Sequence, residues 1–221
     1  NGKSGYSPAY QFNWDEFNNH RLKGGTLKNF ANKKLLPVNN WVIKKHLEGE
    51  MVMGIYPLLK DNSSYFIAAD FDEKNWEEES KKFILQCSEY RIPAYLERSR
   101  SGNGAHVWIF FENNYPAYKS RKIIFEILKK SLCISAFDQE ASFDRLFPNQ
   151  DYLSHSGFGN LITLPLNGSS LQKGNSCFLD PQTMEVYPNQ WLFLKQINRI
   201  SIEELNRLYE LFSLSRQPGN S

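Results

Sequence analysis

The chain has 221 residues and a mass of 25.8 kDa, with a formal net charge of +2 at pH 7 and a pI near 8.3. Apolar residues make up 41% and aromatic residues 14% of the chain. This composition excludes a disordered protein, and the absence of an apolar run near the roughly 18–20 residues of a membrane span excludes an integral membrane protein. The small positive charge does not by itself identify a nucleic-acid-binding protein.

The first half of the chain predicts short helices followed by strands. Residues 14–48 are polar and rich in lysine with scattered apolar anchors, which favours loops and short helices. Two β-like runs, 51–59 and 65–71, are separated by a stretch of Asp, Asn and Ser, and this pattern predicts a β-hairpin. Residues 76–90 have helical apolar spacing and an acidic first turn, so we expect a helix that Pro93 ends.

The second half alternates strands and helices around a glycine loop. Strands are predicted at 94–97 and 105–111, on either side of a loop at 98–104. The remaining predicted elements are a helix at 116–132, short strands at 143–147, 160–164, 176–179 and 191–194, and an amphipathic helix at 202–212. Strands interleaved with long helices favour an α/β or α+β fold over a bundle or a sandwich.

The chain divides into three predicted parts. These are an N-terminal polar and helical extension at 1–48, a core at 49–200, and a C-terminal helix with a polar tail at 201–221. The sequence opens on Asn1-Gly-Lys-Ser-Gly without a methionine or a signal-peptide pattern, so we expect an excised piece of a longer protein or a tag remnant.

The three cysteines indicate the redox setting and limit metal binding. Cys87, Cys133 and Cys177 are widely spaced and odd in number. This pattern argues against a disulfide framework and against a four-cysteine zinc site. We therefore expect a cytoplasmic protein with no zinc in this chain.

Asp70 and Asp72 end an apolar run and form the first candidate site. Successive strand side chains alternate between faces, so the two carboxylates point the same way, roughly 6.5–7 Å apart at their Cα atoms, while Phe71 points to the other face. Charge at the end of a buried strand is costly without a counter-ion, and carboxylate oxygens suit Mg²⁺ or Mn²⁺. An isolated Asp-x-Asp is also common in a solvated turn, so the pair needs support from elsewhere in the sequence.

The loop Ser101-Gly-Asn-Gly-Ala-His106 is the second candidate site. Gly102 and Gly104 allow the backbone to approach a ligand closely, and successive N–H groups can form a concavity for an anion. His106 opens the following strand, where it could donate to a phosphate, and Arg98 lies just before the loop. The loop lacks the Lys-Ser/Thr ending and the helix of a Walker loop, and it also fits a plain turn between strands.

Asp144 is the candidate third carboxylate. It lies in the run Phe143-Asp-Arg-Leu-Phe147, whose apolar residues predict a partly buried strand, where an unpaired carboxylate is expensive. Asp138 and Asp151 compete for the role but lie in more polar surroundings. Downstream, the glycine-led segment 157–166 could lie beside Asp144, and it also fits a plain core strand.

The order of these motifs along the chain resembles that of the archaeo-eukaryotic primase superfamily, which includes primase-polymerases. The closer likeness is to the primase domain of TOTE conflict systems, and it covers roughly residues 41–195. The segments that carry it are Ala69-Asp-Phe-Asp72, Leu96-Glu-Arg-Ser-Arg-Ser-Gly-Asn-Gly-Ala-His-Val-Trp-Ile-Phe-Phe111, Phe143-Asp-Arg-Leu-Phe-Pro-Asn-Gln-Asp151 and Gly157-Phe-Gly-Asn-Leu-Ile-Thr-Leu-Pro-Leu166.

The resemblance implies a primase catalytic core in which an α/β unit is apposed to an RRM-like unit, with the active site in the cleft between them. It implies that Asp70, Asp72 and Asp144 are the catalytic carboxylates and hold two divalent metal ions, Mg²⁺ or Mn²⁺. The residues that it assigns to nucleotide binding are Arg98, Ser101, Gly102, Gly104, His106 and Asn160.

The implied activity is template-dependent nucleotidyl transfer, in which nucleoside triphosphates are joined to a primer 3′-hydroxyl by a two-metal mechanism. The implied partners are a primed or single-stranded nucleic-acid template, nucleoside triphosphates, and helicase or nuclease modules of the same longer protein or system. No membrane partner is expected. Many members of the superfamily carry a zinc-binding module, which the three cysteines cannot build.

Two other functions fit parts of the sequence. Carboxylate clusters at strand ends also cut phosphodiesters, so a two-metal nuclease is one alternative, although the loop before His106 favours a site that holds a triphosphate. A non-catalytic nucleic-acid-binding module is the other. The basic residues that would follow the phosphates in such a module, and that also fit a solvated helix face, are Lys44, Lys45, Arg121, Lys122, Lys129 and Lys130.

Overall fold

The computed structural model describes residues 10–26, 29–32, 34–35, 37–72, 74–134, 142–153 and 158–214. Its helices are α1 (Trp14–Leu22), α2 (Asn40–Leu47), α3 (Trp76–Glu89), α4 (Ala117–Lys130), α5 (Gly168–Leu171), α6 (Gln190–Lys195) and α7 (Ile202–Leu214). Its strands are β1 (Tyr10–Gln11), β2 (Lys34–Leu35), β3 (Gly54–Ile55), β4 (Ser63–Asp72), β5 (Tyr95–Arg98), β6 (Gly104–Pro116), β7 (Phe143–Phe147), β8 (Ile162–Thr163) and β9 (Cys177–Phe178).

Five strands form the central antiparallel sheet, in the order β7-β4-β6-β5-β9. From β4 to β7 the chain runs strand, helix, strand, strand, helix, strand, and the first strand of this series lies between the third and the fourth. This is the split βαβ arrangement of ferredoxin-like and RRM-like domains, to which β9 adds a fifth strand beside β5. The fold is therefore mixed α/β, as the order of the predicted elements indicates, and it contains the RRM-like unit that the family resemblance implies.

One face of the sheet is covered by α3, α4 and α7. Strand alternation sends Ile67, Ala69 and Phe71 of β4 toward this face, where they are almost fully buried. The helices contribute apolar stripes, namely Phe83 and Cys87 from α3, Ile123, Ile124, Ile127 and Leu128 from α4, and Leu205, Leu208 and Phe212 from α7. Each large buried side chain contributes about 1.5–3 kcal/mol, so this layer holds the sheet rigid beneath the opposite face.

The opposite face, called here the open face, is covered only in part. Phe66, Ala68 and Trp108 form an apolar cluster with Ile162 of β8, and side chains of β3 and α6 pack against it. Strand β4 is thus buried on both sides over residues 66–71, whereas Tyr65, the first residue of the predicted apolar run, is exposed, as is the last residue of the strand. Any charged group at the end of β4 therefore lies where the apolar cover gives way to solvent.

The predicted hairpin of residues 51–59 and 65–71 is wrong. Strand β3 pairs with β8, and β4 pairs with β6 and β7. The intervening residues do form a turn, in which Asn62 N donates to the Leu59 carbonyl at 2.9 Å. Local turn chemistry predicts the reversal of the chain, whereas the partner of β3 is set by the long-range packing of β8 on the open face.

The predicted strand at 191–194 is also wrong, because these residues belong to helix α6. The Asn189 side chain caps this helix by accepting from Leu192 N at 2.9 Å. Phe193 and Leu194 then pack against the open-face cluster. A short apolar run does not distinguish a strand from a helix face, and here the cap decides between them. The other helices and strands predicted at stated residues are present, β7 with the predicted ends and the rest with shifted ends.

A buried polar network attaches α2 to the segment that follows β8. His46 accepts from Met53 N through Nδ1 at 3.1 Å and donates through Nε2 to the Pro165 carbonyl at 2.9 Å. Asn167 is fully buried and donates to the carbonyls of His46 and Met51. Buried polar groups need such partners, so the network fixes α2 beside the β3-β8 pair. The boundaries predicted near residues 48 and 200 stay a prediction, although α7 packs into the core beneath the sheet.

The helices are short. The 14-residue helices α3 and α4 are the longest among the described residues. None of the described helices combines the length and the apolar character that a membrane crossing requires.

Candidate metal centre

Asp70 and Asp72 lie at the end of β4 on the open face of the sheet. Phe71 between them is fully buried in the core on the helix side, which confirms the predicted alternation. Asp70 is only 8% exposed, whereas Asp72 is exposed. One carboxylate is thus held inside the protein while its neighbour reaches solvent.

Asp144 reaches the same place through a β-bulge. The register between β4 and β7 shifts between Asp70 and Phe71, which leaves Asp144 as an extra residue in β7. A bulge re-aims side chains, so Asp144 is exposed rather than partly buried as predicted. One ligand oxygen from each of Asp70, Asp72 and Asp144 lies within 4.8 Å of the others. The three predicted carboxylates therefore converge.

A chain of hydrogen bonds attaches this end of the sheet to α3. Asp72 N donates to the Ser142 carbonyl at 2.7 Å. Ser142 in turn donates to Glu79 Oε2 through its N–H at 2.9 Å and through its hydroxyl at 2.7 Å. Because Glu79 lies in the first turn of α3, this helix positions both the backbone of Asp72 and the start of β7.

The two alternatives for the third carboxylate have different outcomes. Asp151 lies elsewhere, where it accepts from Arg121 Nε at 2.6 Å. Asp138 lies outside the described residues. Among the residues that the structure does describe, Asp144 is the one that completes the cluster with Asp70 and Asp72.

The cluster is electrostatically unfavourable by itself. Burial raises the pKa of Asp70 from its ordinary 3.8 to about 6; His106 opposes this shift, and Asp72 and Asp144 add to it. Arg145 donates through Nε to Asp144, and this bond raises the pKa of the guanidinium. One arginine and one histidine thus face three carboxylates, which favours the binding of additional positive charge.

His106 faces the cluster from β6, directly opposite Asp70 in the register. Its Nε2 lies 3.5 Å from Asp70 Oδ1, and its Nδ1 lies 3.0 Å from Glu97 Oε2. Burial lowers the pKa of His106. The Glu97 carboxylate raises this pKa, and Asp70 raises it further. The two carboxylates outweigh burial, so the pKa lies above its ordinary value of 6.5. The ring therefore holds its second proton more firmly than a free histidine does.

The glycine loop is a turn between β5 and β6 that is braced by its own hydrogen bonds. Gly102 N donates to the Ser99 carbonyl at 3.1 Å, and Asn103 N donates to Ser101 Oγ at 3.2 Å. Gly102 has a φ of +85°, which glycine adopts without strain. Because these two N–H groups are engaged within the loop, they do not form the open anion-binding concavity that the sequence suggests. The side chains of Ser101 and Asn103 are exposed instead.

An open pocket of about 580 Å³ lies beside the carboxylates. Its lining consists of Asp72, Lys74, Trp76, Ser101 and Asn103. A pocket of this volume is in the range of small-molecule sites, and it joins an acidic edge to polar and basic side chains. The sequence analysis does not identify Lys74 as a site residue, although its position two residues after Asp72 could have indicated that it lies near the carboxylates.

Gly104 is required by the position of Asp72. The two residues lie opposite each other in the register. A Cβ at Gly104 would lie 2.5 Å from Asp72 Oδ1 and 2.6 Å from the Phe71 carbonyl oxygen. These distances are shorter than van der Waals contact, so a side chain here would displace the carboxylate.

We expect Gly104→Ala to weaken divalent-cation binding by about 10-fold or more, because it moves one of three ligands. Titration calorimetry with Mn²⁺ measures this change. The control is Gly24→Ala, in which the φ of +79° strains the backbone but the new Cβ meets no atom within 4 Å, so it separates backbone strain from a clash with Asp72. Equal Mn²⁺ affinities in the two variants would contradict the steric argument.

Arg98 and Asn160, two residues predicted to bind the nucleotide, differ from His106 in their surroundings. Arg98 alternates with Glu97 on β5, and its guanidinium donates to the carbonyls of Gly174 at 3.2 Å and Met184 at 3.4 Å. Asn160 is half-buried two residues before β8. Their roles stay predictions, and the contacts of Arg98 brace a loop rather than face the carboxylates.

Besides Lys74, the sequence analysis does not identify Glu97 and Arg145 as residues of the site. Glu97 is a charged residue in a buried strand, and its strand partner His106 makes it a recognisable candidate. Arg145 neighbours Asp144, but only the bulge brings both side chains to the cluster. The first could be found from strand pairing, whereas the second needs the structure.

The donor set of the cluster fits a divalent cation. Three carboxylates supply hard oxygen ligands, which Mg²⁺ and Mn²⁺ prefer, and their mutual repulsion is relieved by bound positive charge. Among the described residues, no histidine or cysteine joins the three carboxylates in this group. The site therefore has the chemistry of an oxygen-ligated metal centre.

An RRM-like sheet with three convergent carboxylates at the end of one strand places the protein in the mixed α/β class, with a candidate metal centre on the sheet. The chain belongs to the family described as the archaeo-eukaryotic primase domain of TOTE conflict systems, whose model matches residues 1–208. A search of curated proteins finds no match to the chain. Members of the family are generally enzymes of the primase type and are typically metal-dependent, which agrees with the acidic cluster.

Proposed function

We propose that this chain is a template-dependent nucleotidyltransferase, a primase-polymerase that joins nucleoside triphosphates to a primer 3′-hydroxyl. The observation that carries the proposal is the convergence of Asp70, Asp72 and Asp144, with ligand oxygens within 4.8 Å of one another. His106 faces the same cluster from the next strand. Membership of the primase family supports the reaction class.

The proposed reaction is attack by the primer hydroxyl on the α-phosphorus of the nucleotide, with pyrophosphate as the leaving group. Two divalent ions, Mg²⁺ or Mn²⁺, would when bound lower the pKa of the hydroxyl and offset the charge of the triphosphate. Asp70, Asp72 and Asp144 are the residues that would hold them. Glu79 and Ser142 keep the Asp72 backbone in place for this role.

The remaining side chains would bind and orient the triphosphate. His106 presents Nε2 toward the carboxylates, where it can donate to a phosphate oxygen. The hydroxyl of Ser101, the amide of Asn103 and the ammonium of Lys74 line the adjoining pocket. Positioning and electrostatics of this kind supply most of the rate acceleration in phosphoryl-transfer enzymes.

The proposed substrates are a primed or single-stranded nucleic-acid template and nucleoside triphosphates. Helicase or nuclease modules of the same longer protein or system are part of the proposal as partners. A primer-extension assay with Mn²⁺, a labelled primer and each nucleotide set tests the activity on a denaturing gel. We expect the primer to lengthen, whereas shortening would replace the proposal with a nuclease.

A non-catalytic nucleic-acid-binding module has less support from the charges. Several of its candidate basic residues are in ion pairs, namely Lys45 with Glu50, Arg121 with Asp151 and Lys129 with Glu126. Paired cations contribute less to phosphate binding, because the neighbouring carboxylate opposes the phosphate charge. Metal-independent template binding without turnover would support this module instead.

We expect His106→Ala to raise the apparent KM for the nucleotide by about 10-fold or more, because a charge-assisted hydrogen bond to a phosphate is lost. Steady-state primer extension over a range of nucleotide concentrations measures the change. His20→Ala is the control, since His20 bonds to Thr26 and Asn29 in the N-terminal part of the chain. An unchanged KM in His106→Ala would remove this residue from the phosphate site.

A further inference from the structure

Glu97 is a fully buried carboxylate beside the candidate site. It lies on β5, opposite His106 in the register, and is 1% exposed. Burial of an ionised carboxylate is costly unless donors replace its lost hydration. The groups that Glu97 binds should therefore account for its presence in the sheet.

Two donors converge on one oxygen of Glu97. Trp108 Nε1 donates to Oε2 at 2.7 Å, and His106 Nδ1 lies 3.0 Å from the same atom. The indole is itself held, because Trp108 stacks on Phe110 with the ring planes 8° apart. The indole thus fixes the carboxylate, and the carboxylate fixes one edge of the imidazole.

The other edge of the His106 imidazole faces the carboxylate cluster. His106 Nε2 lies 3.5 Å from Asp70 Oδ1, which is long for a hydrogen bond. His46 provides a contrast within the same chain, because both of its ring nitrogens are engaged by backbone groups of Met53 and Pro165. His46 is a structural histidine, whereas His106 is tied by one nitrogen and presents the other.

We propose that Glu97 is a positioning residue for nucleotide binding. Its carboxylate ties Nδ1 of His106, so that the ring edge carrying Nε2 faces the phosphates of the incoming nucleotide. A carboxylate on the far nitrogen fixes the orientation of an imidazole in the same way at metal and catalytic sites. This inference rests on the proposed function, because the nucleotide contact of His106 is part of it.

A purely structural role predicts a different pattern of effects. If Glu97 served only to satisfy the Trp108 indole, its removal would lower stability and activity whether or not His106 were present. A positioning residue acts through its partner, so its effect on nucleotide binding should disappear once the partner is gone. Non-additivity between positions 97 and 106 therefore separates the two roles.

The kinetic test compares Glu97→Leu, Glu97→Gln, His106→Ala and the Glu97→Leu/His106→Ala double variant by primer extension. We expect Glu97→Leu to raise the nucleotide KM about 10-fold or more, close to the effect of His106→Ala, with a smaller change in kcat. Glu97→Gln keeps an acceptor oxygen and should lie between Glu97→Leu and the wild type. The double variant should match His106→Ala, and additive increases in KM would overturn the proposal.

A spectroscopic test needs no turnover. The wild type should show a downfield ¹H–¹⁵N signal of a hydrogen-bonded Nδ1 proton, which His106→Ala assigns and Glu97→Leu should abolish. Persistence of that signal in Glu97→Leu would overturn the tether. If the signal behaves as expected but the wild type extends no primer, the tether is supported and the proposed function fails.

Discussion

Asp72→Asn should lower the rate of primer extension by about 10³-fold or more while the fold stays intact. Asp72 is exposed at the end of β4, so an amide of the same shape meets no new desolvation cost. The variant removes one carboxylate and one negative charge from the cluster, both of which the proposed divalent-cation site needs. The rate of primer extension at saturating nucleotide measures the activity. The free energy of unfolding, obtained from thermal denaturation, should agree with that of the wild type within about 0.5 kcal/mol.

The matched comparison for this prediction is Asp144→Asn against Asp151→Asn. Asp144 contributes a ligand oxygen to the cluster, so its variant should lose activity as Asp72→Asn does. Asp151 instead pairs with the largely buried Arg121 side chain, so its variant should lose the stability contributed by this partly exposed ion pair and keep its activity. Equal losses in the two variants would contradict the assignment of the third carboxylate.

A stronger test removes both strand carboxylates. If a folded Asp70→Ala/Asp72→Ala variant still extended a primer at the wild-type rate, the carboxylate cluster could not be the catalytic centre. A loss of extension with normal template binding would agree with the proposal, because binding and catalysis would then be separated.

The core of the site could be predicted from the sequence because strand periodicity carries much of the information. The apolar run before Asp70 predicts a strand buried on both sides, and period-two alternation places Asp70 and Asp72 on one face. The glycine loop with His106 at its end predicts a turn between strands. These features are local, so one short stretch of sequence contains each of them.

The position of Asp144 could not be predicted from its neighbours in the sequence. Its apolar neighbours in the sequence predict a partly buried carboxylate, yet Asp144 is exposed, and it reaches the cluster through a bulge. A bulge depends on how β7 pairs with β4, and the sequence of β7 alone does not contain that information. Asp144 therefore belongs to the cluster of three carboxylates, although the burial that favours it in the sequence is not present in the structure.

Long-range pairing explains the other differences. The partner of β3 is β8, which follows it by about 100 residues, so turn residues near β3 could not predict it. Arg98 has a plausible position beside the loop, but its guanidinium binds the Gly174 and Met184 carbonyls, which are distant in sequence. In both cases the decisive contact lies outside the window that a motif covers.

Asp70→Asn should stabilise the metal-free protein at pH 7.5 by up to about 3 kcal/mol, although it abolishes activity. Burial, with smaller contributions from Asp72 and Asp144, raises the pKa of Asp70 from 3.8 to about 6. The folded protein therefore binds this proton more tightly than the unfolded chain, so stability is lost as the pH rises from about 4 to about 6. A shift of about two pH units corresponds to about 3 kcal/mol.

The measurement is urea unfolding of wild type and Asp70→Asn at pH 4 and pH 7.5, in the presence of a chelator. The two proteins should have similar free energies of unfolding at pH 4 and should differ at pH 7.5. His106 limits the gain, because Asp70 helps to raise its pKa and the variant removes that interaction.

Divalent cations should reverse this order. A cation that binds only the folded wild type raises its stability by mass action, whereas Asp70→Asn lacks a ligand and should respond weakly. Excess Mn²⁺ should therefore raise the melting temperature of the wild type well above its value in chelator and leave that of the variant nearly unchanged. If Asp70→Asn were less stable than the wild type in chelator at pH 7.5, Asp70 would be a net stabilising residue. The cluster would then be a structural feature. It would not be a site that destabilises the metal-free fold and is compensated by metal binding.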